Sequence, residues 1–370
     1  MVSSSVAETK SKESEENKES KDAKKAGAVG FGSQGAKRKE AETALTQTKI
    51  KTQVNDTRVR ISVSKPAEKP PLFSKYDIQK YDLQRGYIFP EAVQSLIPVN
   101  TPEYVDRGEK YIERITRALY YFKQCALIGP SGTGKTHVVY IVAEITGLPI
   151  WEINCGLQTS SYDMFGRYIG LGKENWIDGQ IIAWCRMGGL LYLDEANMMK
   201  QDIATRLNPL LDTRGHIVLT EKDNEIVNRH PYGYLIIAMN PFSSEFAGTK
   251  PLNAAFRRRM SVWINFGYLS VGEKICPDEV KLIQKRSGLD EDTAYKIVKV
   301  GAELRRQYQN GDLPYGPSPG DLMNWATLIS DGSTPQLSAE ETIVGMTSDD
   351  VEIQQIVRDI INSVFSAGKR

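Results

Sequence analysis

A glycine-rich stretch at residues 129–136 carries the side chains best suited to chemistry. Gly129, Gly134, Lys135 and Thr136 fit the pattern G-x-x-x-x-G-K-[ST], in which bare loop amides surround nucleotide phosphates at the start of a helix. Lys135 is predicted to meet the terminal phosphates, and the Thr136 hydroxyl is a suitable ligand for Mg²⁺. An apolar strand before the loop and a helix with buried aliphatic positions after it support this interpretation. The residues predicted to contact the phosphates are Gly129, Pro130, Ser131, Gly132, Thr133, Gly134, Lys135, Thr136 and His137.

Two adjacent carboxylates, Asp194 and Glu195, follow a second apolar strand at residues 189–194. Parallel sheets present their ligands at the carboxyl edge of the strands, so these side chains are expected near the phosphate loop. This is the Walker B pattern. Asp194 is predicted to hold Mg²⁺ together with Thr136, and Glu195 to orient the attacking water. An Asp-Glu pair also occurs in ordinary turns that cap helices, so the prediction depends on the phosphate loop in the same sheet.

Two further candidates follow later strands. Asn240 ends the apolar strand at 233–239 and is predicted to reach the water or the terminal phosphate as a first sensor. Arg257, Arg258 and Arg259 precede the last predicted strand. A triple arginine is usually a solvated surface, but in a ring of nucleotide-hydrolysing subunits such arginines enter the neighbour's site and stabilise the transferring phosphoryl group.

Composition places the chain among globular proteins with room for two domains and a tail, since 370 residues include 40% hydrophobic side chains. The formal net charge of +1 is unevenly spread: residues 1–70 hold 15 basic against 10 acidic side chains, and the remainder 32 against 36. The net negative body gives no general electrostatic reason to expect duplex DNA as the main ligand. The cysteines form no paired C-x-x-C, which fits a reducing compartment without zinc or disulfides. With no signal peptide and no long apolar run, a cytoplasmic protein is expected.

The order of patterns predicts three parts. Residues 1–75 are predicted to form a charged tail or linker that is disordered. Within it, the pattern at 58–64 fits a short strand and a β-prone stretch of linker equally well. The basic run at 37–39 is predicted to be solvated. Residues 76–270 alternate strands with helices and predict an α/β core with a parallel sheet between helices. Residues 271–370 carry only helical patterns and predict a small all-helical lid. The predicted strands are 124–128, 149–154, 189–194, 233–239 and 261–266, and the helices 111–119, 178–187, 200–211, 250–259, 277–287, 291–308, 319–330 and 349–366.

With these motifs in this order, the chain resembles the AAA+ ATPases, within them the MoxR/CbbQ/NorQ group with its dynein-like and midasin-like relatives, over about residues 98–330. The segments that carry the resemblance beyond the shared ATPase motifs are 161–168 (SYDMFGRY), 176–179 (WIDG), 206–211 (RLNPLL), 238–241 (AMNP) and 255–259 (AFRRR). The resemblance implies ATP rather than GTP as the nucleotide, Mg²⁺ as its metal and a ring, expected to be a hexamer. It also implies a pore-lining insertion at 156–173 and a hairpin at 216–227 before the first sensor.

The resemblance assigns further residues. Arg259 is the favoured arginine finger, with Arg257 the alternative and Arg258 the variable position. Tyr162, Phe165 and Tyr168 contact the pore or, equally, pack the insertion on its own subunit. The segment 101–104 is expected to pass beside the adenine. The chain departs from the family at Gly320, where relatives carry a second-sensor arginine, and a weaker response to nucleotide is expected.

The function implied by this resemblance is remodelling or activation of a protein partner by ATP hydrolysis, as in metalloenzyme activation or metal insertion, with a von Willebrand factor A domain protein as expected partner. The chief alternative is a ring NTPase acting on nucleic acid, similar to McrB or to phage genome-handling ATPases. The basic tail favours it, but no recognition module is visible. A third class, a scaffold that binds nucleotide without cleaving it, conflicts with the complete set Lys135, Asp194, Glu195 and Asn240.

Overall fold

The computed structural model describes residues 82–366 except 85, 107, 157, 171–174 and 242–251. The predictions for the tail, for the basic run at 37–39 and for the strand at 58–64 therefore lie outside the described residues. All described residues fall within one compact unit, Glu68–Arg370. None of the helices described is both long and apolar enough to cross a membrane.

The elements follow in a regular order. In the core they are α1 Glu91–Gln94, α2 Tyr111–Phe122, β1 Gln124–Ile128, α3 Lys135–Thr146, β2 Ile150–Asn154, α4 Ser161–Phe165, β3 Gly166–Tyr168, β4 Trp176–Asp178, α5 Gln180–Met187, β5 Gly189–Asp194, α6 Gln201–Leu211, β6 His216–Leu219, β7 Glu225–Asn228, β8 Gly233–Met239, α7 Ala254–Arg259 and β9 Trp263–Asn265. The helices that follow are α8 Pro277–Ser287, α9 Glu291–Asn310, α10 Pro319–Ser330, α11 Pro335–Ala339, α12 Gly345–Thr347 and α13 Val351–Ser366.

A parallel sheet of five strands, in the order β2-β5-β8-β1-β9, forms the centre of the core. The central strands β5 and β8 are almost wholly buried, because helices cover both faces, and this is why they read as continuous apolar runs. The five strands predicted from the sequence are confirmed. The last of them is shorter than predicted, since it spans Trp263–Asn265 only.

Alternation along the strands divides the core into two layers. Leu190 and Tyr192 of β5 point to one face and pack with α2 and α3, whereas Leu191 and Leu193 point to the other and pack with α5 and α6. Because all strands run the same way, loops from β1, β5 and β8 meet at one edge of the sheet. The fold thus brings together the segments that carry the predicted chemistry.

Two small antiparallel hairpins project from this core. The first pairs β3 with β4 after the short helix α4, so the predicted insertion at 156–173 extends further along the chain, to Asp178. The second pairs β6 with β7, which confirms the hairpin predicted at 216–227. Along the chain, the first hairpin lies between the phosphate loop and β5, and the second lies between β5 and β8.

The region after β9 is helical, as predicted, and has its own apolar core. The helices predicted at 277–287 and 319–330 match α8 and α10, and those predicted at 291–308 and 349–366 match α9 and α13 within two residues. The segment Pro335–Thr347 is also helical, which the sequence prediction missed; a π-helical turn, Glu340–Val344, lies in its middle.

Candidate functional site

The predicted catalytic side chains converge at the carboxyl edge of the sheet. Lys135 begins α3, Asp194 ends β5, Glu195 follows it and Asn240 follows β8. They line one cavity of about 220 Å³, whose wall is formed by Ser131, Gly132, Gly134, Lys135, Thr136, His137, Asp194, Glu195, Met239 and Asn240. Three segments far apart in the sequence therefore share one site.

Two glycines of the loop have conformations that other residues rarely adopt. Gly134, at the cap of α3, has φ 84°, and Gly132 has φ 71°. Gly132 also lies against Ser318, which caps α10: a Cβ on Gly132 would come within 2.3 Å of the Ser318 Cβ. The glycines therefore allow the backbone conformation of the phosphate loop. Ser318 of the helical region contacts this loop directly.

The Lys135 ammonium is nearly enclosed, with 8% of the residue exposed. Its Nζ donates to the carbonyls of Gly129 and Pro130, each at 2.7 Å, and to Asn240 Oδ1 at 3.1 Å. Burial lowers the pKa of Lys135 to about 8, although the charges of Asp194 and Glu195 oppose that shift. An anion placed in the cavity would restore the protonated form.

Thr136 and Asp194 bring a hydroxyl and a carboxylate oxygen together. The Thr136 Oγ1 lies 3.3 Å from Asp194 Oδ2 and 3.0 Å from the hydroxyl of Tyr192. Hydroxyl and carboxylate oxygens are the ligands that Mg²⁺ prefers, so the donor chemistry fits the predicted metal. Tyr192 was not among the residues predicted for the site, although it lies two residues before Asp194 on the same side of the strand.

Glu195 sits in a turn that few side chains adopt, with φ 50°. Its backbone N–H donates to Asp194 Oδ1 at 2.9 Å, which fixes the turn, and its side chain is exposed at the cavity rim. The carboxylate of Glu195 thus belongs to the rim of the cavity that Thr136 and Asp194 also line. Such a place suits a group that polarises water.

A second cavity, of about 370 Å³, adjoins the first and shares Gly134 and His137 with it. The segment predicted to pass the base lies here: Tyr104 packs against Gly134 and the His137 ring, and His137 Nε2 lies 2.7 Å from the Pro102 carbonyl. Other lining residues are Glu103, Val105, Tyr111, Thr133, Gly267, Tyr268, Leu269, Leu282, Arg286, Pro319, Gly320, Met323 and Asn324.

The departure at Gly320 falls on the wall of this second cavity. A Cβ added to Gly320 would touch the Ser318 Oγ alone, at 3.4 Å, so the backbone leaves room for a larger side chain. The absence of an arginine at this position is therefore a property of the sequence and is not forced by packing.

The structure does not bring Arg257 or Arg259 to this site. The Arg259 carbonyl accepts from Gln124, the first residue of β1, and its guanidinium contacts Ala255 and Asp212. Arg257 lies over the Trp263 ring at 4.7 Å. The phosphate loop follows the last residue of β1, about 13 Å away along the strand. Within one chain, Arg259 and the phosphate loop therefore lie at opposite ends of β1.

The insertion aromatics have different surroundings. Phe165 is 1% exposed and lies beneath the Arg206 guanidinium, so it packs within its own chain. Tyr168 contacts the Trp176 ring edge-on, whereas Tyr162 is 59% exposed. Of the two alternatives, packing holds for Phe165, and Tyr162 alone among these three points into solvent. The cysteines Cys125, Cys155, Cys185 and Cys276 are buried free thiols.

Comparison with known proteins supports the class that this site defines. The family model of the AAA domain, dynein-related subfamily, matches residues 124–260, and that of the CbbQ/NirQ/NorQ C-terminal region matches 279–364. The two matches cover the phosphate loop, the Walker B strand and the helical region. The chain therefore has the AAA+ architecture, which implies nucleotide binding.

Three curated relatives resemble the chain over almost their whole length. The denitrification regulatory protein NirQ of Pseudomonas aeruginosa is 31% identical over 264 residues, covering 71% of this chain and 97% of that protein. Protein CbbQ of Hydrogenophilus thermoluteolus is 29% identical, with 71% and 98% covered, and protein NorQ of Paracoccus denitrificans 28%, with 72% and 95% covered. The chain belongs to the CbbQ/NirQ/NorQ family of MoxR-type AAA+ proteins.

Proposed function

We propose that this chain hydrolyses ATP with Mg²⁺. The observation that carries the proposal is the convergence of Lys135, Thr136, Asp194, Glu195 and Asn240 on one cavity of about 220 Å³. Phosphoryl transfer needs positioning and charge compensation more than covalent chemistry, and these side chains supply a cation, metal ligands, a carboxylate and an amide.

Each side chain has a role in this proposal. Lys135 binds the terminal phosphates, and its bond to Asn240 places the amide where it senses them. Thr136 and Asp194 would hold Mg²⁺, which would neutralise the negative charge of the phosphates. Glu195 orients the attacking water. The adenine occupies the second cavity beside Tyr104, which continues from the phosphate cavity through Gly134 and His137.

We propose that the active form is a homo-oligomeric ring, a hexamer, because the arginines lie away from their own chain's site. Arg259, with Arg257 as the alternative, completes the neighbour's site. The chain works in three parts: a tail at 1–75, an ATPase core at 76–270 and a lid at 271–370. Support for the lid comes from the contact of Ser318 with Gly132, which couples the helical region to the phosphate loop.

The work of the ring is proposed to be remodelling or activation of a protein partner in the cytoplasm, such as metal insertion into an enzyme. One relative is named a denitrification regulatory protein, which supports action on another protein. A partner with a von Willebrand factor A domain is part of this proposal. The free, buried cysteines support a reducing compartment.

The variant Glu195→Gln tests the proposal, because removal of the polarising carboxylate blocks cleavage while Lys135 and the metal ligands remain. We expect it to retain ATP, to lose at least about a hundredfold in hydrolysis rate, and to hold its partner in lysate containing ATP and Mg²⁺. Captured proteins are identified by mass spectrometry and captured nucleic acid by nuclease-sensitive staining.

Lys135→Ala, which should not bind ATP, is the matched control for nonspecific capture. A metalloenzyme or a von Willebrand factor A domain protein, retained only by Glu195→Gln, supports the proposed function. Retention of nucleic acid or a nuclease subunit overturns it in favour of the nucleic-acid alternative, and unchanged hydrolysis by Glu195→Gln overturns the assignment of Glu195.

A further inference from the structure

The hydroxyl of Tyr192 lies inside the cluster of metal-ligand oxygens. Tyr192 belongs to β5, is fully buried, and places its phenol oxygen 3.0 Å from Thr136 Oγ1. Tyr192 lies within the Walker B strand, 189–194, but no role was predicted for its side chain. Its ring packs among the aliphatic side chains on the α2 and α3 side of the sheet, so the hydroxyl is carried to the site by a rigid support.

Counting protons fixes the direction of this hydrogen bond. Thr136 has one hydroxyl proton and two acceptor lone pairs. A carboxylate only accepts, so the proton of Thr136 points to Asp194 Oδ2, at 3.3 Å. The phenol of Tyr192 then donates to Thr136 Oγ1, and it also lies within hydrogen-bonding range of the Asp194 carboxylate.

The two bonds leave one lone pair of Thr136 free and fix its direction. One lone pair accepts from Tyr192, and the proton is given to Asp194. The remaining lone pair is the one with which the hydroxyl can bind a cation. Without the phenol, the Thr136 hydroxyl would be held only by its longer contact to Asp194 and would have to be oriented during binding.

We propose that Tyr192 is a positioning residue that orients the Thr136 hydroxyl for the divalent cation. This role rests on the proposed function, because it presupposes that nucleotide binds here with Mg²⁺. Residues that orient metal ligands through hydrogen bonds commonly contribute about 10- to 100-fold to metal affinity. Tyr192 thus acts through its contact with Thr136.

Tyr234 offers a matched control in the neighbouring strand. It lies in β8, packs in the same apolar layer, and its buried phenol donates to the Leu83 carbonyl at 2.6 Å. Tyr192→Phe and Tyr234→Phe therefore each remove one buried hydroxyl and leave the ring in place. Only the first removal affects an oxygen bonded to Thr136.

The test measures binding of a fluorescent ATP analogue to the full chain as Mg²⁺ is titrated, and repeats the measurement in EDTA. Tyr192→Phe should require about 10-fold more Mg²⁺, with unchanged affinity in EDTA, whereas Tyr234→Phe should match the wild type. In a Thr136→Ala background, Tyr192→Phe should cause no further shift, since the group through which it acts is gone. Thermal unfolding confirms that each variant is folded.

Several outcomes would overturn this role. A Tyr192→Phe titration that overlays that of Tyr234→Phe shows that the hydroxyl is structural, as does an equal loss of affinity with and without Mg²⁺. A further shift in the Thr136→Ala background shows that Tyr192 does not act through Thr136. If the wild type itself binds the analogue no better with Mg²⁺ than in EDTA, the proposed function fails before the role of Tyr192 is reached.

Discussion

At the scale of the residue, the site is built around a buried ammonium. Lys135 is surrounded by carbonyl and amide oxygens, and burial holds the pKa of Lys135 at about 8 against an ordinary value near 10.5. The phosphates of a nucleotide would favour the charged form, so the pKa must rise when they bind. A proton is then taken up wherever the solution pH lies between the two values.

This gives a prediction for the pH dependence of ATP binding. Affinity should fall as the pH rises through about 8, because the unbound Lys135 increasingly loses the charge that the phosphates need. At about pH 9, roughly one tenth of Lys135 remains protonated, so binding should be about tenfold weaker than at neutral pH. Calorimetry in buffers of different ionisation enthalpy measures both the affinity and the proton uptake.

Lys135→Arg is the control for this prediction. A guanidinium stays charged over the whole range, so the variant, although a weaker binder, should show no such decline. Wild-type affinity that stays constant up to about pH 9, with no proton taken up, would mean that Lys135 is already fully charged before nucleotide binds.

At the scale of the element, the helical region is held by one buried ion pair. Arg305 of α9 and Glu279 of α8 are both fully buried and form two hydrogen bonds, at 2.9 and 3.2 Å. Arg305 also donates to the carbonyls of Ser270 and Pro317, and Pro317 directly precedes Ser318, which touches the phosphate loop. The guanidinium of Arg305 thus connects α8 and α9 with the segment that precedes α8 and the segment that follows α9.

Arg305→Ala should strongly destabilise this region. The substitution leaves the Glu279 carboxylate buried without its partner, which typically costs about 3–5 kcal/mol of unfolding free energy. The next residue supplies the control: Arg306 pairs with Glu303 on the surface of the same helix, and Arg306→Ala should leave the unfolding midpoint nearly unchanged. Denaturant unfolding compares the two. Equal midpoints for both variants would show that the buried pair does not hold the helices together.

The sequence predicted most of these elements, because buried parallel strands and regular helices leave local patterns. The segment Pro335–Thr347 was missed, since the π-helical turn at its centre shifts the buried side chains out of the 3.6-residue period. The phosphate loop and the Walker B carboxylates were likewise readable from local spacing. Tyr192 and Arg305 were not, because their roles depend on Thr136, 56 positions away, and on Glu279, 26 positions away.

At the scale of the whole molecule, the phosphate loop and Arg259 lie at opposite ends of β1. The phosphate loop follows the carboxyl end of β1, whereas Arg259 is bonded to Gln124 at its amino end. A further cavity, whose lining includes Gln124 and Arg259, lies at the amino end of β1 and shares no lining residue with the phosphate cavity. If arginine catalysis operates, the arginine must therefore come from another copy, and a closed ring gives every subunit such a neighbour.

Mixing two inactive variants tests whether the arginine acts between subunits. Arg259→Ala keeps Glu195 but lacks the finger and should lose about 10³–10⁵ in rate; Glu195→Gln keeps the finger but cannot cleave. In an equal mixture, an Arg259→Ala subunit can face an intact Arg259 on its neighbour, so about a quarter of the sites should regain activity. Arg258→Ala should hydrolyse ATP normally, and the same mixture with Arg257→Ala decides between the two candidates. A mixture that stays as inactive as its components would contradict this prediction. It would mean either that Glu195 and Arg259 act within the same subunit or that the chain forms no ring in which neighbours complete each other's sites.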